Sequence, residues 1–217
     1  MIGIFDSGMG GAFALAELRR IRPDADAVFF ADRKNAPYGT KSQDVLRALA
    51  ERDIEILRSC GADDILIACC TASTVYPLLS LEHRRGVIPI IDATAYAAIR
   101  MSKSKRIGVL ATELTVSTGA FEGAIRNYCK SAEVSSVSLQ GLVFAIENGE
   151  STDKLVEDAL RSFGDVDTVV LGCTHFAAIE EKVKKEGFAT VNSARIGAEL
   201  LSERVKSGCG VTLYINE

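Results

Sequence analysis

Two cysteines stand at positions where their thiols could take part in chemistry. Cys69 follows the apolar run 65–68, and Cys173 follows the apolar run 168–172. Short continuous apolar runs are typical of buried strands, so each thiol comes where a strand ends. Each is followed by a segment that we predict to begin a helix, whose free N–H groups and dipole favour a thiolate and lower its pKa. The sequence therefore predicts two activated thiols.

The segments around these thiols belong to an internal repeat. IGIFDS at 2–7 is similar to IGVLAT at 107–112, and LIACCT at 66–71 is similar to VLGCTH at 170–175. The offsets of the two matches are 105 and 104 residues. Such short apolar matches also arise by chance in α/β proteins, but here a hydroxyl matches a hydroxyl and a thiol matches a thiol. We therefore predict two similar halves.

Apolar strands alternate with amphipathic segments along the chain. Helical spacing of apolar residues is found at 47–61 and at 151–165. This alternation predicts an α/β fold, with parallel sheets covered by helices on both faces. The predicted strands are 2–5, 27–31, 65–68, 88–91, 107–111, 168–172 and 188–191.

The repeat and the alternation together predict two similar parallel-sheet α/β domains related by pseudo-twofold symmetry, with the active site in the cleft between them. We expect the first domain to contain residues 1–93 and 191–217, and the second to contain residues 94–190. Ligands of open parallel sheets bind beyond the carboxyl ends of the strands. Two facing sheets would therefore place Cys69 and Cys173 on opposite walls of one cleft.

Two thiols that face each other across a cleft can invert a carbon atom. One thiolate removes a proton from one face of the carbon, and the opposite thiol delivers a proton to the other face. A single cysteine with a histidine would instead indicate acyl transfer. Free cysteine is also a common core residue, so we interpret Cys60, Cys129 and Cys209 as packing residues and leave Cys70 open. The predicted helix starts at Thr71 and Thr174 would hold a substrate carboxylate.

Composition restricts the class of protein. The 217 residues carry 25 basic and 29 acidic side chains, a net charge of −4, and no basic run. Binding to nucleic acid or to a membrane surface thus has no electrostatic support. The first residues show no signal-peptide pattern, so we expect a cytoplasmic protein. With six cysteines, no C-x-x-C pair and two histidines, neither a disulfide framework nor a structural zinc site is expected.

The chain contains four distinctive motifs, FDSGMGG (5–11), PYGTKS (37–42), ACCT (68–71) and GCTHF (172–176). In this order they resemble the signature stretches of glutamate racemases, which belong to the cofactor-independent aspartate/glutamate racemase superfamily. Weaker similarity at 107–117, 142–149 and 191–201 extends the resemblance along most of the chain. It implies a small acidic amino acid as substrate, no cofactor and a homodimer.

The resemblance also implies a role for each matching residue. Cys69 would act on the α-hydrogen of the D-isomer, and Cys173 on that of the L-isomer. Catalytic assistance would come from Asp6 to Cys69 and from His175 to Cys173, with Glu147 lining the second wall. The implied substrate contacts are Asp6, Ser7, Tyr38, Gly39, Cys70, Thr71, Thr174 and His175.

Several of these residues also have a plainer interpretation. Asp6 and Ser7 are residue types that commonly cap a helix, here one beginning near Gly10. Tyr38 would then be an ordinary loop aromatic, and Glu147 a solvated carboxylate at a helix edge.

The chain departs from the family pattern at three places. Cys70 stands where the family has asparagine, and a thiol cannot replace the donors and acceptor of an amide. Residues 176–178 read Phe-Ala-Ala instead of Tyr-Pro-Leu, and Asn192 replaces an aspartate. These changes leave both predicted bases in place and alter their surroundings.

Three classes of function remain open. The first is an amino-acid racemase, acting on glutamate to supply D-glutamate for bacterial peptidoglycan, or on aspartate or another small acid. The second is a non-catalytic binding or interaction module with a racemase-like fold. The third, a redox protein using Cys69 and Cys70, ranks lowest because adjacent cysteines close a strained ring. Loss of the substrate's α-proton would separate the first class from the others.

Overall fold

The structure is a computed structural model that describes residues 1–216, and this part of the chain contains two parallel sheets. Sheet 1 consists of β1 (Ile2–Asp6), β2 (Ala27–Ala31), β3 (Asp64–Ile67), β4 (Val87–Pro89) and β9 (Thr212–Asn216). Sheet 2 consists of β5 (Arg106–Ala111), β6 (Glu133–Ser138), β7 (Thr168–Gly172) and β8 (Ala189–Asn192). Every neighbouring pair of strands is parallel.

Helices connect and cover these strands. The α-helices are α1 (Gly11–Ile21), α2 (Gln43–Ser59), α3 (Cys70–Ser73), α4 (Leu81–Arg84), α5 (Ile90–Met101), α6 (Glu113–Ser117), α7 (Ala120–Tyr128), α8 (Gln140–Glu147), α9 (Asp153–Ser162), α10 (Glu180–Lys185) and α11 (Ser193–Ser202). Short 3-10 helices lie at Arg33–Asn35, Tyr38–Thr40, Tyr76–Leu78 and Thr174–Ile179. The helices predicted at 47–61 and 151–165 are thus confirmed as α2 and α9. No helix within residues 1–216 has the length and apolar character needed to cross a membrane.

The two sheets share one strand order. Sheet 1 runs β4-β3-β1-β2-β9, and sheet 2 runs β8-β7-β5-β6 when read from the corresponding edge. The strands β5, β6, β7 and β8 therefore hold the places of β1, β2, β3 and β4. This equivalence confirms the prediction of two similar parallel α/β halves. The predicted domain boundary at 190/191 falls inside β8, and the domain limits stay a prediction.

The central strands lie in apolar surroundings, which explains their continuous apolar sequences. All residues of β1, β2 and β7 are buried. One hydrophobic cluster combines residues of both sheets, such as Ile4 and Val109, with the inner faces of α1, α5 and α11. Two further clusters lie against one sheet each. Because side chains of both sheets are removed from water in this shared cluster, the cluster holds the two sheets against each other.

The observed strands differ from the predicted ones at three places. The run 88–91 is only partly a strand, because β4 ends at Pro89 and α5 begins at Ile90, whose N–H donates to Ser73 Oγ (3.2 Å). The strands β6 and β9 were not predicted. Both are edge strands, and β6 is half exposed and rich in serine, so neither carries the continuous apolar signal of a buried strand.

Candidate active site

A cavity of about 270 Å³ is lined by residues that follow the carboxyl ends of four strands. Ser7 follows β1, Cys69 comes after β3, Thr112 follows β5 and Cys173 follows β7. The two pairs that the repeat matched therefore line one cavity, one member from each sheet. Of the predicted site residues, all but Asp6 line it: Ser7, Tyr38, Gly39, Cys69, Cys70, Thr71, Glu147, Cys173, Thr174 and His175.

Cys69 is held by its own turn and by the neighbouring strand end. Its Sγ accepts the backbone N–H of Ala72 (3.4 Å), because Cys69 is the N-cap residue of α3. The same sulfur lies 3.4 Å from Ser7 Oγ. Ser7 therefore contacts the thiol, and α1 begins at Gly11 with Gly10 as its N-cap and no capping side chain. The helix-capping interpretation does not hold for Ser7.

Cys173 is the first member of a chain of three polar side chains. Its Sγ lies 3.8 Å from His175 Nδ1, and His175 Nε2 lies 2.9 Å from Glu147 Oε1. An ionised carboxylate only accepts, so Nε2 carries the hydrogen, and in the neutral ring Nδ1 is free to accept the proton of the thiol. Glu147 is thus more than a solvated helix-edge carboxylate, although its side chain is 43% exposed.

The predicted lowering of the thiol pKa is wrong. Burial raises the pKa of Cys69 to about 11, and the charge of Asp6 adds to this effect. Burial also raises the pKa of Cys173, and the neighbouring thiols Cys70 and Cys69 act in the same direction. The segments that follow the thiols are the four-residue α3 and a 3-10 helix, which are too short to build a large dipole. Desolvation of the thiolate therefore dominates.

Asp6 lies behind the cavity wall and links the two sheets. Its fully buried carboxylate accepts the N–H of Gly8 (3.0 Å) and the hydroxyl of Thr174 (3.0 Å). Burial raises the pKa of Asp6, whereas the nearby His175 and these hydrogen bonds lower it. Both carboxylate oxygens of Asp6 thus have partners within the protein. The predicted contacts of Asp6 with the substrate and with Cys69 stay predictions.

Tyr38 supports its loop with its hydroxyl group. This hydroxyl lies 2.6 Å from Asp32 Oδ2 and 2.8 Å from Asp53 Oδ2, and the ring is buried. Burial raises the pKa of Asp53 to about 6, although Arg52 and Tyr38 lower it. The phenol is therefore directed away from a ligand, and Tyr38 is more than an ordinary loop aromatic. Its predicted contact with the substrate would have to use its other atoms.

Three threonine hydroxyls meet at the boundary between the sheets. Thr71 Oγ1 lies 2.9 Å from Thr112 Oγ1 and 3.3 Å from Thr115 Oγ1, and the latter two are 2.9 Å apart. The cluster joins the segment after β3 to the segment after β5. It leaves Thr71 at the cavity wall but engages its hydroxyl, so the predicted carboxylate contact of Thr71 stays a prediction.

Some residues of the cavity were not predicted from the sequence. Thr112 had been matched to Ser7 by the repeat, and that signal could have identified it. Gln140 and Phe144 belong to α8, which follows β6. Because β6 was not recognised as a strand, nothing indicated that Gln140 lies at the carboxyl edge of a sheet. The location of α8 in space was needed to find it.

The departures from the family pattern fit their surroundings. Cys70 is buried and lines the cavity, and Phe176 is fully buried in the hydrophobic cluster of sheet 2. Asn192 donates from Nδ2 to Glu180 Oε2 (2.9 Å), and its Oδ1 accepts the N–H groups of Ala194 and Arg195 at the start of α11. An aspartate at position 192 would place a second carboxylate against Glu180.

The remaining cysteines lie outside the cavity. Cys60 and Cys129 are half-buried, and Cys209 is exposed, so the packing interpretation of Cys209 is wrong. Cys209 lies between two glycines in the segment before the edge strand β9, where no core surrounds it. Within residues 1–216, no group of three or more His, Cys, Asp or Glu residues is arranged to hold a metal ion.

The geometry defines a two-domain α/β protein with one thiol from each domain in a shared cavity, a histidine beside one thiol and a hydroxyl beside the other. A water molecule takes about 30 Å³ in the liquid. The cavity volume of about 270 Å³ is several times larger, so the cavity has room for a small amino acid.

Comparisons with known proteins agree with this class. The family model Asp/Glu/Hydantoin racemase matches residues 14–201. The glutamate racemase of Aquifex aeolicus is 36% identical over 227 residues, covering 100% of this chain and 88% of the relative. This chain therefore belongs to the Asp/Glu/Hydantoin racemase family.

Solved structures give the same result for the fold. The glutamate racemase isoform RacE1 from Bacillus anthracis matches with a TM-score of 0.88 and 26% identity, covering 100% of this chain and 86% of that one. The glutamate racemase from Francisella tularensis in complex with D-glutamate matches with a TM-score of 0.88 and 26% identity, covering 99% of this chain and 86% of that one. The predicted fold class of two parallel α/β domains and the predicted family are confirmed.

Proposed function

We propose that this protein interconverts L-glutamate and D-glutamate, with Cys69 and Cys173 as the two bases and without a cofactor. The observation that carries the proposal is the position of these thiols, which follow the equivalent strands β3 and β7 and line one cavity. The relatives named above are glutamate racemases, which gives aspartate less support as the substrate.

The reaction balances with the two thiols alone. When L-glutamate binds, the thiolate of Cys173 takes the α-proton and leaves the electron pair on the α-carbon. The thiol of Cys69 then donates its proton to the opposite face, and D-glutamate forms. Cys173 ends as a thiol and Cys69 as a thiolate, so the reverse reaction starts from that state. No oxidant or reductant is consumed.

Polar neighbours of each thiol fit this exchange of protons. His175 Nδ1 can take the proton of Cys173 and return it, and Glu147 holds the ring in the required tautomer through Nε2. Beside Cys69, the hydroxyl of Ser7 and the N–H of Ala72 stabilise the thiolate. Burial keeps both thiols protonated before the substrate arrives, so proton removal is the step that needs assistance.

The proposal includes a cellular role. D-Glutamate is an unusual isomer, and we propose that the product supplies peptidoglycan synthesis in the cytoplasm. A homodimer is part of the same proposal, and light scattering of the purified chain measures its mass directly. A monomer at micromolar concentration would remove the dimer from the proposal and leave the chemistry of the cavity unchanged.

Exchange of the α-proton tests the chemistry. The reduced protein is incubated in deuterium oxide with L-glutamate and separately with L-aspartate, and proton NMR follows the α-proton signal. We expect the signal of glutamate to disappear with the wild type and to persist with Cys173→Ala, which lacks the base for the L-isomer. Cys69→Ala keeps that base but lacks the proton donor on the opposite face, so it should form no D-glutamate. Cys209→Ala is the matched control, because Cys209 is exposed and lies outside the cavity.

The same experiment separates the alternatives. Faster exchange of aspartate would make the protein an aspartate racemase. Retention of both signals by folded protein with free thiols would contradict racemisation of these acids and favour a binding module. Mass spectrometry that found Cys69 and Cys70 oxidised to each other would support the redox class.

A further inference from the structure

The cavity wall contains one polar atom that the site described above does not use. Gln140, the first residue of α8, lines the cavity, and its Oε1 is buried without a hydrogen-bond partner in residues 1–216. The other such side-chain atoms in this part of the chain, Arg84 Nε and Arg106 Nε, belong to residues outside the cavity lining. A buried acceptor without a donor is unfavourable, and native structures keep few of them.

Gln140 reaches the opposite wall of the cleft. Its Oε1 lies 2.5 Å from the place that a Cβ of Gly39 would occupy, and Thr112 Cβ lies 3.5 Å from that place. Gly39 belongs to the loop after β2, and Gln140 follows β6, so the two residues come from equivalent connections of the two sheets. The absence of a side chain at Gly39 is what admits the carboxamide.

Three polar side chains of the same cavity lining already have partners of their own. Thr174 donates to Asp6, and both ring nitrogens of His175 are engaged. The hydroxyl of Thr112 belongs to the threonine cluster. A donor for Gln140 Oε1 can therefore be supplied from the cavity, by water or by a bound ligand that replaces it.

An acidic amino acid offers one kind of donor at neutral pH. Its carboxylates only accept hydrogen bonds, and its α-ammonium only donates them. We propose that Gln140 is a substrate-binding residue whose Oε1 accepts an N–H of the substrate's α-ammonium group. This inference rests on the proposed function, because it takes an acidic amino acid as the ligand. An ammonium held there restricts rotation of the substrate and helps to direct its α-hydrogen toward a thiol.

A double comparison of variant and ligand tests the contact. Binding of D-glutamate and of glutarate, which lacks the ammonium group, is measured by calorimetry for the wild type and for Gln140→Leu. Since a hydrogen bond to a charged group is a strong one, we expect glutamate to bind about tenfold to a hundredfold more weakly to the variant. The affinity for glutarate should fall by less than about twofold in the variant, because glutarate has no ammonium group to contact position 140.

Two further variants complete the design. Gln43→Leu is the matched control, because Gln43 is also the first residue of a helix but is exposed and outside this cavity. It should change neither affinity. Gln140→Glu keeps an acceptor at the same place, so its preference for glutamate over glutarate should equal or exceed that of the wild type.

Several outcomes would overturn the proposal. Equal losses for both ligands would show that Gln140 packs against Gly39 or contacts a carboxylate, and no loss for either would show that it does not bind substrate. A selective loss of glutamate with Gln140→Glu would show that the amide N–H groups, and not Oε1, face the ligand. A wild type that binds glutamate no more tightly than glutarate would also count against it.

Failure of the inference can be told apart from failure of the proposed function. The binding comparison is made at equilibrium and needs no turnover. Ammonium-selective binding without α-proton exchange would contradict racemisation and leave the role of Gln140 intact. Exchange by the wild type together with no selective loss in Gln140→Leu would contradict the role of Gln140 alone.

Discussion

Cys69 and Cys173 are each more than nine-tenths buried, and this burial determines how the thiols titrate. Because water is excluded, the neutral thiol is favoured and the pKa of both groups is raised. Racemisation needs one thiolate and one thiol at the same time. The population of the reactive form therefore depends on how readily the first proton leaves the pair.

This leads to a prediction for the pH dependence. A base whose pKa is about 11 loses more of its protons as the pH rises, so kcat/KM should increase about tenfold per pH unit between pH 7 and 9. The measurement is the initial rate of circular-dichroism change with D-glutamate at low concentration. A profile that is flat above pH 7 would show that the free protein already holds a thiolate.

A second prediction concerns the residue that orients His175. Glu147→Gln removes the carboxylate charge beside Nε2 and allows the other tautomer, which cannot accept the proton of Cys173. We expect kcat/KM to fall about tenfold to a hundredfold. The loss of kcat/KM must be equal for L- and D-glutamate. Enantiomers have equal free energies, so the equilibrium constant is one and kcat/KM must be the same in both directions for every variant.

Stability separates this effect from a structural one. The side chain of Glu147 is 43% exposed, so Glu147→Gln should change the free energy of unfolding by less than about 0.5 kcal/mol. Glu150→Gln, an exposed position three residues further along, is the matched control and should retain full activity. A Glu147→Gln variant with unchanged kcat/KM would contradict the role of the His175–Glu147 pair.

At the scale of elements, the turn before α1 must approach the 3-10 helix Thr174–Ile179 closely. A Cβ added at Gly10 would contact Thr174 Oγ1 and would lie 2.6 Å from His175 Nδ1. This His175 atom is the one that faces Cys173. The glycine at the start of α1 therefore sets the distance between an element that follows the first sheet and the segment of the second that carries Thr174 and His175.

Gly10→Ala should consequently affect stability and activity together. Overpacking at this contact should lower the free energy of unfolding by about 1–3 kcal/mol, measured by urea denaturation, and reduce kcat/KM at least tenfold. Gly123→Ala is the control, because a Cβ placed there in α7 would meet no other part of residues 1–216 within 4 Å beyond its own helix backbone and chain neighbours. It should stabilise the protein by about 0.5–1 kcal/mol. A tolerated Gly10→Ala would contradict the close approach.

At the scale of the whole molecule, the cavity belongs to neither sheet alone. Its walls come from both, and the bonds between Thr174 and Asp6 and between Thr71 and Thr112 cross between them. The hydrophobic cluster that contains Ile4 and Val109 also combines residues of both sheets. A ligand in the cavity should therefore stabilise the molecule as one unit.

Thermal unfolding tests this coupling. With D-glutamate at about a hundred times its Kd, the free energy of unfolding should rise by about 2.7 kcal/mol. A single transition should then shift upward by about 5–10 °C. L-Lysine at the same concentration is the control, since its cationic side chain does not match an acidic substrate. Two separate transitions, of which only one responds to D-glutamate, would contradict a shared site.

Much of this protein was determined by the sequence on its own. Buried parallel strands must be apolar on both faces, so β1, β2 and β7 are visible as continuous apolar runs. The repeat then predicted two equivalent halves and paired Ser7 with Thr112 and Cys69 with Cys173. All four residues line the cavity, because the equivalent strands of both sheets direct their carboxyl ends to it.

Features that depend on neighbours distant in the chain required the folded structure. The edge strands β6 and β9 carry no continuous apolar signal in the sequence. The pairing of β6 with β5 is what places Gln140, which follows β6, at the cavity. The hydroxyl of Tyr38 is directed by Asp32 and Asp53. The thiols are harder to ionise than their local sequence predicts. Desolvation is the sum of everything packed around a group, and no local pattern contains that sum.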